Sequence, residues 1–256
     1  MHAIRSLFAA VLIATASAPA AAQSAPAAEP EEASFFGLGA VLDMERQAYG
    51  GVGTENNLYP LVRYESRLFS IEGATADLHL LGDSALSFSV RAEYGLGDGY
   101  KPGDSPALAG MRARRSSLWL GGVVAWDAGW ADLTAALTGD ASGRSKGRQV
   151  GLTLERDIDI GRLQLTPRIA ATWQDRDYVD YYYGVRASEA RADRAAYRGR
   201  SAVGTELGVH AQYALTDRQF VFLDLSANRL GAGVRDSPIV DRTWLPAVRA
   251  GYLHRF

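Results

Sequence analysis

The sequence predicts an all-β fold, a closed antiparallel transmembrane β-barrel of about twelve strands, with ten strands as the alternative. Three observations carry this prediction. Hydrophobic residues alternate with polar ones from residue 35 onward, aromatic residues fall near the ends of the alternating segments, and short connections alternate with long polar ones. Membrane barrels combine these features, because lipid-facing and lumen-facing side chains alternate and short periplasmic turns oppose long extracellular loops. We therefore assign residues 35–256 to the barrel.

The alternation is clearest at residues 84–95 and 203–213. In the second segment Val203 and Leu207 interleave with Glu206 and His210, so one face is apolar and the other polar. Most segments reach about 9 to 11 residues with their ends, which is the length a tilted strand needs to cross the hydrocarbon core. The other alternating segments are residues 36–44, 58–64, 68–81, 118–126, 131–137, 150–154, 163–173, 221–227 and 244–256.

Aromatic placement separates this prediction from a soluble β-sandwich, whose strands also alternate. Sandwich cores place large aromatic side chains in the middle of strands, whereas membrane barrels place them in girdles at the two interfaces. The aromatic residues at or near segment ends are Tyr64, Phe69, Tyr94, Trp126, Trp130, Trp173, Tyr213, Phe220, Tyr252 and Phe256. Their positions favour the membrane barrel.

The number of strands depends on residues 68–81. Counted once, this stretch gives eleven segments, but both termini of such a barrel are periplasmic, which requires an even number. A break at Gly73 gives twelve. Alternation also places charged side chains in the lumen, where we expect salt bridges across strands, with a selective aqueous pore as the alternative. These inward residues are Arg63, Arg91, Arg168, Arg249, Glu65, Glu93, Asp132, Glu155, Glu206 and Asp224.

The two termini predict export to the bacterial outer membrane. Residues 1–22 combine a basic start, an apolar run and a small-residue end, so we predict a cleaved signal peptide, followed by a flexible periplasmic lead-in at residues 23–34. The last segment carries Tyr252 and ends on Phe256, and a terminal aromatic strand is the assembly signal of this class of proteins. We therefore expect the outer-membrane assembly machinery, membrane lipid and lipopolysaccharide as partners.

Composition excludes several other classes. The chain of 256 residues is 47% hydrophobic but has no 18-residue apolar run outside its N-terminus, which excludes a helical membrane protein. Its net charge of -2 argues against a nucleic-acid binder. The chain has no cysteine, and His79, His210 and His254 are not clustered as metal ligands would be. We predict no catalytic, metal or cofactor site and no enzymatic activity.

The loop at residues 174–201 is the candidate interaction segment. Tyrosine and arginine are enriched at binding hot spots, because they combine a large contact area with forked hydrogen bonding. A second interpretation is that the loop folds over the barrel mouth as a lid and its arginines neutralise lipopolysaccharide phosphates. The composition of residues 189–197 also favours a helix. The candidate interaction residues are Tyr178, Tyr182, Tyr183, Arg186, Arg191 and Tyr197.

Several short motifs resemble the MipA/OmpV family of outer-membrane proteins, over residues 35–256. The motifs are Ala48-Tyr49-Gly50-Gly51 followed by Tyr59-Pro60-Leu61-Val62-Arg63-Tyr64, Tyr182-Tyr183-Gly184-Val185 with Glu189-Ala190, Asp236-Ser237-Pro238-Ile239-Val240, and the terminal Gly251-Tyr252-Leu253-His254-Arg255-Phe256. The resemblance implies a non-enzymatic barrel that acts as an envelope scaffold between a murein transglycosylase and a murein synthase, or as a surface adhesin. A narrow channel for small polar solutes is the alternative, and a lipid-modifying outer-membrane enzyme ranks third.

Overall fold

The computed structural model describes residues 34–82, 85–96 and 98–256. The strands are β1 (Phe35–Arg46), β2 (Thr54–Glu65), β3 (Phe69–Glu72), β4 (Thr75–Gly82), β5 (Leu86–Tyr94), β6 (Leu118–Asp127), β7 (Asp132–Asp140), β8 (Arg148–Glu155), β9 (Ile158–Ile160), β10 (Leu163–Gln174), β11 (Ala202–Ala214), β12 (Gln219–Arg229) and β13 (Trp244–Arg255). Helices α1 (Arg176–Tyr183) and α2 (Ala232–Arg235) and the 3-10 turns Pro106–Leu108 and Ala187–Glu189 lie in loops. The predicted signal peptide, residues 1–22, and residues 23–33 of the predicted lead-in lie outside the described residues.

The strands form one closed antiparallel sheet. Each strand pairs with its neighbour along the chain, except that β8 does not pair with β9, and the ring closes between β1 and β13. Segments β8 and β9 both pair with β10, at its two ends, so they are two parts of one interrupted strand and the barrel has twelve strands. The predicted break at Gly73 is confirmed: this residue has a φ of +57° in the turn between β3 and β4, which is a backbone conformation that glycine adopts readily. The predicted fold class is confirmed as well.

Period-two alternation divides the side chains between two environments. Leu38, Leu207 and Leu223 point outward and are exposed at 42%, 56% and 42%, because lipid is the environment that their face meets. Trp173 and Tyr213 lie near opposite ends of their strands and are exposed in the same way. None of the described residues belongs to a helix that is both long enough and apolar enough to cross a membrane.

The lumen is lined by charged residues that pair across strands. Arg249 of β13 lies 2.7 Å from Asp43 of β1, and Arg168 of β10 lies 2.9 Å from Glu206 and 2.6 Å from Asp224. Strand register explains this pairing, since Arg249 is directly opposite both Asp43 and Asp224 on its two neighbours. The inward direction predicted for these side chains is therefore correct, and they satisfy one another as expected.

The two ends of the barrel differ in the length of their connections. The end that carries Phe35 and Phe256 has short turns, such as residues 128–131, 161–162 and 215–218. The opposite, extracellular end carries the long loops. The helix expected at residues 189–197 is wrong, because Arg191 and Arg194 form a tight backbone bridge and bind neighbouring carbonyl groups with their side chains. The helix of this loop is α1 instead.

One strand has an open edge. Because β3 has only four residues, β2 pairs with it only at Arg63 to Glu65. The carbonyl of Val62 accepts a last hydrogen bond from Gly73 N–H at 3.0 Å, and the backbone of residues 54–61 has no partner on that side among the described residues. Pro60 points its backbone to the same side as Val62 and has no N–H to donate, and proline in sheets is confined to such edges.

Candidate functional site

The long loops fold together into a cap over the extracellular end, formed by residues 47–53, 95–96, 98–117, 141–147, 175–201 and 230–243. One of its two hydrophobic clusters, the mouth cluster, contains Ala48, Trp119, Tyr178, Val179, Tyr182, Ala202, Leu230 and Val234. Trp119 belongs to β6 and Ala202 to β11, and these strands lie four positions apart around the ring. Val179 and Tyr182 of α1 are exposed at only 0% and 1%. The mouth cluster therefore crosses the barrel opening.

Close backbone approach fixes α1 in this position. Asp175 caps the helix, since its side chain accepts a hydrogen bond from Tyr178 N–H at 2.9 Å. A Cβ atom on Gly147 would lie 2.7 Å from Tyr178 Cβ, and one on Gly199 would lie 2.2 Å from the backbone nitrogen of Asp180. Glycine at these two positions lets the neighbouring loops touch the helix, so α1 is enclosed by other parts of the cap.

The second cluster, the motif cluster, contains Tyr49, Val52, Tyr100, Leu108, Met111, Val185 and Ile239. Tyr49 packs edge-on against Tyr100 with ring centroids 4.8 Å apart and stacks on Tyr183 at 5.6 Å. Ser237 Oγ donates a hydrogen bond to the carbonyl of Tyr183 at 2.5 Å, and Gly50 N–H donates one to the carbonyl of Ile239 at 2.8 Å. Three of the sequence motifs, which are distant along the chain, therefore form one packed unit.

A buried ion pair connects two loops of the cap. Arg114 and Glu189 are 3.0 Å apart, with side chains only 2% and 4% exposed. Burial alone would raise the pKa of Glu189, but hydrogen bonds from the N–H groups of Arg112 and Arg186 and the Arg114 guanidinium outweigh it and hold the pKa below its usual value. Arg114 Nε also donates to the carbonyl of Tyr181 at 2.6 Å. The pair is fully hydrogen-bonded, which is what a buried ion pair requires.

Two more titratable groups of the cap are shifted by burial. The pKa of Tyr100 is raised to about 12 by burial, partly offset by the adjacent guanidinium of Arg114. The pKa of Asp98 is raised to about 6, again mainly by burial, although a hydrogen bond from Trp119 lowers it and Glu93 raises it further. The charge of Asp98 therefore changes close to neutral pH.

The candidate interaction residues are placed in two different environments. Tyr178 and Tyr182 are buried in the mouth cluster, and Tyr183 is half-buried beside it. Arg186 is exposed, whereas Arg191 donates to the carbonyl of Pro106 at 3.0 Å and Tyr197 donates to the carbonyl of Gly233 at 2.7 Å. Fewer of the six candidate side chains are therefore accessible to a partner than the composition of the loop indicates. Their part in binding stays a prediction.

Arg114 and Glu189, which link two loops of the cap, were not predicted from the sequence as functional residues. They are 75 residues apart and belong to no local pattern, although Glu189 does fall inside a motif. The predicted assembly signal lies at the periplasmic end, where Phe256 N–H donates to the carbonyl of Phe36 at 2.9 Å and Tyr252 points outward. Within the described residues, no three His, Asp or Glu side chains form a group suited to a metal ion.

Two surface cavities of the described residues lie at opposite ends of the barrel. The cavity on the cap has a volume of about 430 Å³ and is lined in part by Asp180, Gly184, Arg186, Ala196, Tyr197 and Arg198. The cavity at the periplasmic rim has a volume of about 260 Å³. It lies between the turn that joins β9 to β10 and the turn that joins β11 to β12, and Asp159, Arg162 and Asp217 contribute to its lining. Arg162 Nη1 connects the two turns through a hydrogen bond to the carbonyl of Leu215 at 2.9 Å.

Comparison with known proteins finds relatives over most of the chain. A family model described as MltA-interacting protein MipA matches residues 37–256. MltA-interacting protein of Escherichia coli (strain K12) is 26% identical over 223 residues, which cover 86% of this chain and 90% of that protein. Outer membrane protein YiaT of the same strain is 27% identical over 214 residues, 82% of this chain and 86% of YiaT. Outer membrane protein Omp26La of Vibrio anguillarum is 30% identical over 160 residues, and the alignment covers 62% of each chain, less than two thirds of that relative.

Proposed function

Because the chain belongs to the MipA family of outer-membrane proteins, we propose that it is an envelope scaffold whose periplasmic rim holds a murein transglycosylase in a murein-synthesising and murein-hydrolysing complex. The observation that carries this proposal is the cap. A packed hydrophobic cluster across the extracellular opening supports a function carried by the surfaces of the barrel and not by passage of solutes. The name of one relative, MltA-interacting protein, supports a transglycosylase as the partner.

The burial of the cap supports a permanently filled mouth. Tyr182 is exposed at 1%, and its hydroxyl donates to Ser117 Oγ at 3.1 Å. Leu108 and Val179 are exposed at 0%. Opening a passage would separate these apolar surfaces and leave the Arg114 and Glu189 charges without partners, and breaking a buried ion pair in this way costs about 3–5 kcal/mol. The salt-bridged lumen lies behind this barrier.

The periplasmic rim offers a surface for a periplasmic partner. Its recess between two turns is bordered by Asp159 and Asp217, and it lies at the same end as Phe35 and Phe256. Short turns bound by hydrogen bonds, such as the contact from Arg162 to Leu215, present their side chains in a fixed arrangement. A rigid surface of this kind loses little conformational entropy when a partner binds.

The experiment is a pull-down from solubilised envelopes with the full-length protein as bait. We expect the wild type to retain a murein transglycosylase, and Asp159→Lys combined with Asp217→Lys to reduce the retained amount severalfold. Asp193→Lys is the matched control, because it is the same charge reversal on the opposite, extracellular end, at a side chain that is 72% exposed. Retention that is lost equally in all variants, or absent in the wild type, would contradict the proposal.

Planar-bilayer recording tests the competing function. The refolded wild type should give no stable stepwise conductance, because the mouth cluster fills the opening. Stepwise conductance in the wild type would favour a channel, whereas conductance that appears only after deletion of residues 176–198 would support a mouth that is closed by the cap. A phospholipid or lipid A turnover assay with His210→Ala tests the third function, since His210 lies in the lumen 3.4 Å from Asp224. Turnover that depends on His210 would make the protein an enzyme.

A further inference from the structure

We propose that the cavity on the cap is a binding site for a phosphorylated saccharide, with Arg186 and Arg198 holding the phosphate and the ring of Tyr197 packing against the sugar. The cavity volume of about 430 Å³ lies within the range of small-molecule sites, about 300–1,000 Å³. This site lies on the extracellular face and does not depend on the scaffold function of the periplasmic rim.

The charge of the cap favours an anion. Its loops carry fourteen Lys and Arg residues and nine Asp and Glu residues, a net charge of +5, whereas the whole chain has a net charge of -2. The positive charge is therefore concentrated on the end that faces the outside. Such a field attracts anionic ligands and raises their local concentration near the surface.

Arg186 and Arg198 differ from Arg191, Arg194 and Arg200 of the loop between β10 and β11. Arg194 donates to the carbonyls of Ala107 and Ala109, Arg191 binds Asp193 at 2.8 Å, and Arg200 binds Asp236 at 2.6 Å. Neither Arg186 nor Arg198 forms an ion pair with an acidic side chain in the described part of the chain, yet both line the same cavity. Their guanidinium groups are free to bind a phosphate with paired hydrogen bonds.

Two acidic residues of this part of the cap, Asp180 and Glu189, already have other partners. Asp180, which also lines the cavity, accepts a hydrogen bond from Gly199 N–H at 2.8 Å. Glu189 is engaged by Arg114 and by the N–H groups of Arg112 and Arg186. An incoming phosphate therefore does not have to displace a carboxylate from either guanidinium.

The backbone that carries the two arginines is fixed before any ligand binds. Val185 and Tyr197 exchange backbone hydrogen bonds of 2.8 and 2.9 Å, and this bridge joins the chain beside Arg186 to the chain beside Arg198. A Cβ atom on Gly184 would lie 2.2 Å from the carbonyl oxygen of Asp180, so that segment is pressed against α1. A site that is formed in advance binds with a smaller entropic cost.

The shape of the cavity favours a phosphorylated sugar over inorganic phosphate alone. Tyr197 is half-buried and its hydroxyl is held by the carbonyl of Gly233, so the ring has a fixed position in the wall. Aromatic rings offer a flat apolar face, which suits the C–H groups of a sugar ring. A bare phosphate would contact the arginines but not fill the remaining volume.

Isothermal titration of the refolded full chain in detergent tests the site with three probes: glucose 6-phosphate, glucose and inorganic phosphate. We expect glucose 6-phosphate to bind most tightly, and Arg186→Gln or Arg198→Gln to weaken it about tenfold or more, as the loss of a charged hydrogen bond implies. Tyr197→Ala should weaken glucose 6-phosphate but not inorganic phosphate. Arg144→Gln is the control, since Arg144 is an exposed arginine on another loop of the cap and outside the cavity.

A second arm identifies the source of the ligand. The same variants are titrated with nanodiscs that contain lipopolysaccharide, intact or enzymatically dephosphorylated. If Arg186→Gln and Arg198→Gln weaken binding of intact lipopolysaccharide but binding of glucose 6-phosphate does not depend on them, the ligand is the lipid. If the two variants also weaken binding of glucose 6-phosphate, the site accepts soluble phosphorylated sugars. The proposal is overturned if no probe binds, if glucose or inorganic phosphate binds as tightly as glucose 6-phosphate, or if the Arg variants bind like the wild type. Heat-modified migration on gels confirms that each variant is folded.

Discussion

The cap and the lumen both contain arginine–carboxylate pairs, but the two regions bury them to different degrees. The side chains of Arg114 and Glu189 in the cap are 2% and 4% exposed, whereas those of Arg249 and Asp43 in the lumen are 42% and 13% exposed. Solvent exposure screens the pair of Arg249 and Asp43, and the closed sheet holds its two strands together without it. The cap has no such sheet and depends on packing and on the buried pair of Arg114 and Glu189. These two pairs therefore differ in structural importance, and Arg168 and Asp224 of the lumen, with side chains 16% and 12% exposed, lie between them.

Truncation in the mouth cluster should have the largest effect. Tyr182→Ala removes a buried aromatic side chain and its hydrogen bond to Ser117, and such truncations cost about 3–5 kcal/mol. We expect faster hydrogen exchange in the loops of the cap and unchanged exchange in β10 to β13. Tyr182→Phe keeps the packing and should cost only about 1 kcal/mol. Uniform loosening of cap and barrel would show that the two regions are not distinct.

Loss of one partner of the buried ion pair between Arg114 and Glu189 should also destabilise the cap. Glu189→Gln leaves the Arg114 charge buried without a counter-ion, which costs about 3–5 kcal/mol, although the amide oxygen still accepts a backbone hydrogen bond. Limited proteolysis of the loops between β5 and β6 and between β10 and β11 measures the result. Asp193→Asn is the control, since it breaks only the exposed pair with Arg191. Protection equal to the wild type would contradict a locking function for Glu189.

The cap should also respond to pH through Asp98, with a smaller effect because one group is involved. Its pKa of about 6 in the folded protein lies above the value of about 3.9 in an unfolded chain, so the folded state binds the proton more tightly. The contribution of Asp98 to the stability of the cap should be greatest below about pH 4, decline as the pH rises to about 6, and then stay constant. Hydrogen exchange in the cap at several pH values, compared between the wild type and Asp98→Asn, measures this contribution as the difference between the two proteins. A difference that moves in favour of the wild type as the pH rises from about 4 to about 6 would have the wrong sign.

Substitution in the lumen should have the smallest effect. Arg249→Gln removes a charge that pairs with Asp43 in a water-accessible position, and such pairs contribute less than about 1 kcal/mol. The midpoint of urea unfolding in lipid vesicles should therefore stay close to that of the wild type. A loss of stability as large as that caused by Glu189→Gln would mean that the pair of Arg249 and Asp43 is as well shielded from solvent as the pair in the cap. The contrast between the two regions would then not hold.

The same contrast explains what the sequence could predict. The strands follow from period two, which is a local pattern, so the inward direction of Arg249 and the break at Gly73 were predictable. The cap depends on contacts between distant residues, such as the one from Ser237 to Tyr183, and no local pattern encodes them. From the sequence, Tyr178 and Tyr182 were therefore predicted to belong to an exposed binding surface. In the structure both side chains are buried in the mouth cluster. Arg186, which follows the bridge between Val185 and Tyr197, is exposed as the loop composition indicates.

The open edge of β2 has a mechanical consequence. A closed ring of interstrand hydrogen bonds resists deformation along its whole circumference. A ring in which one strand segment lacks a partner deforms most easily at that segment. The outer half of β2, from Thr54 to Leu61, is bonded to β1 on one side only among the described residues, and Leu58 there is 74% exposed. Lateral pressure from the outer leaflet should therefore change the shape of the barrel chiefly along this line, while the periplasmic half of the wall stays stiff.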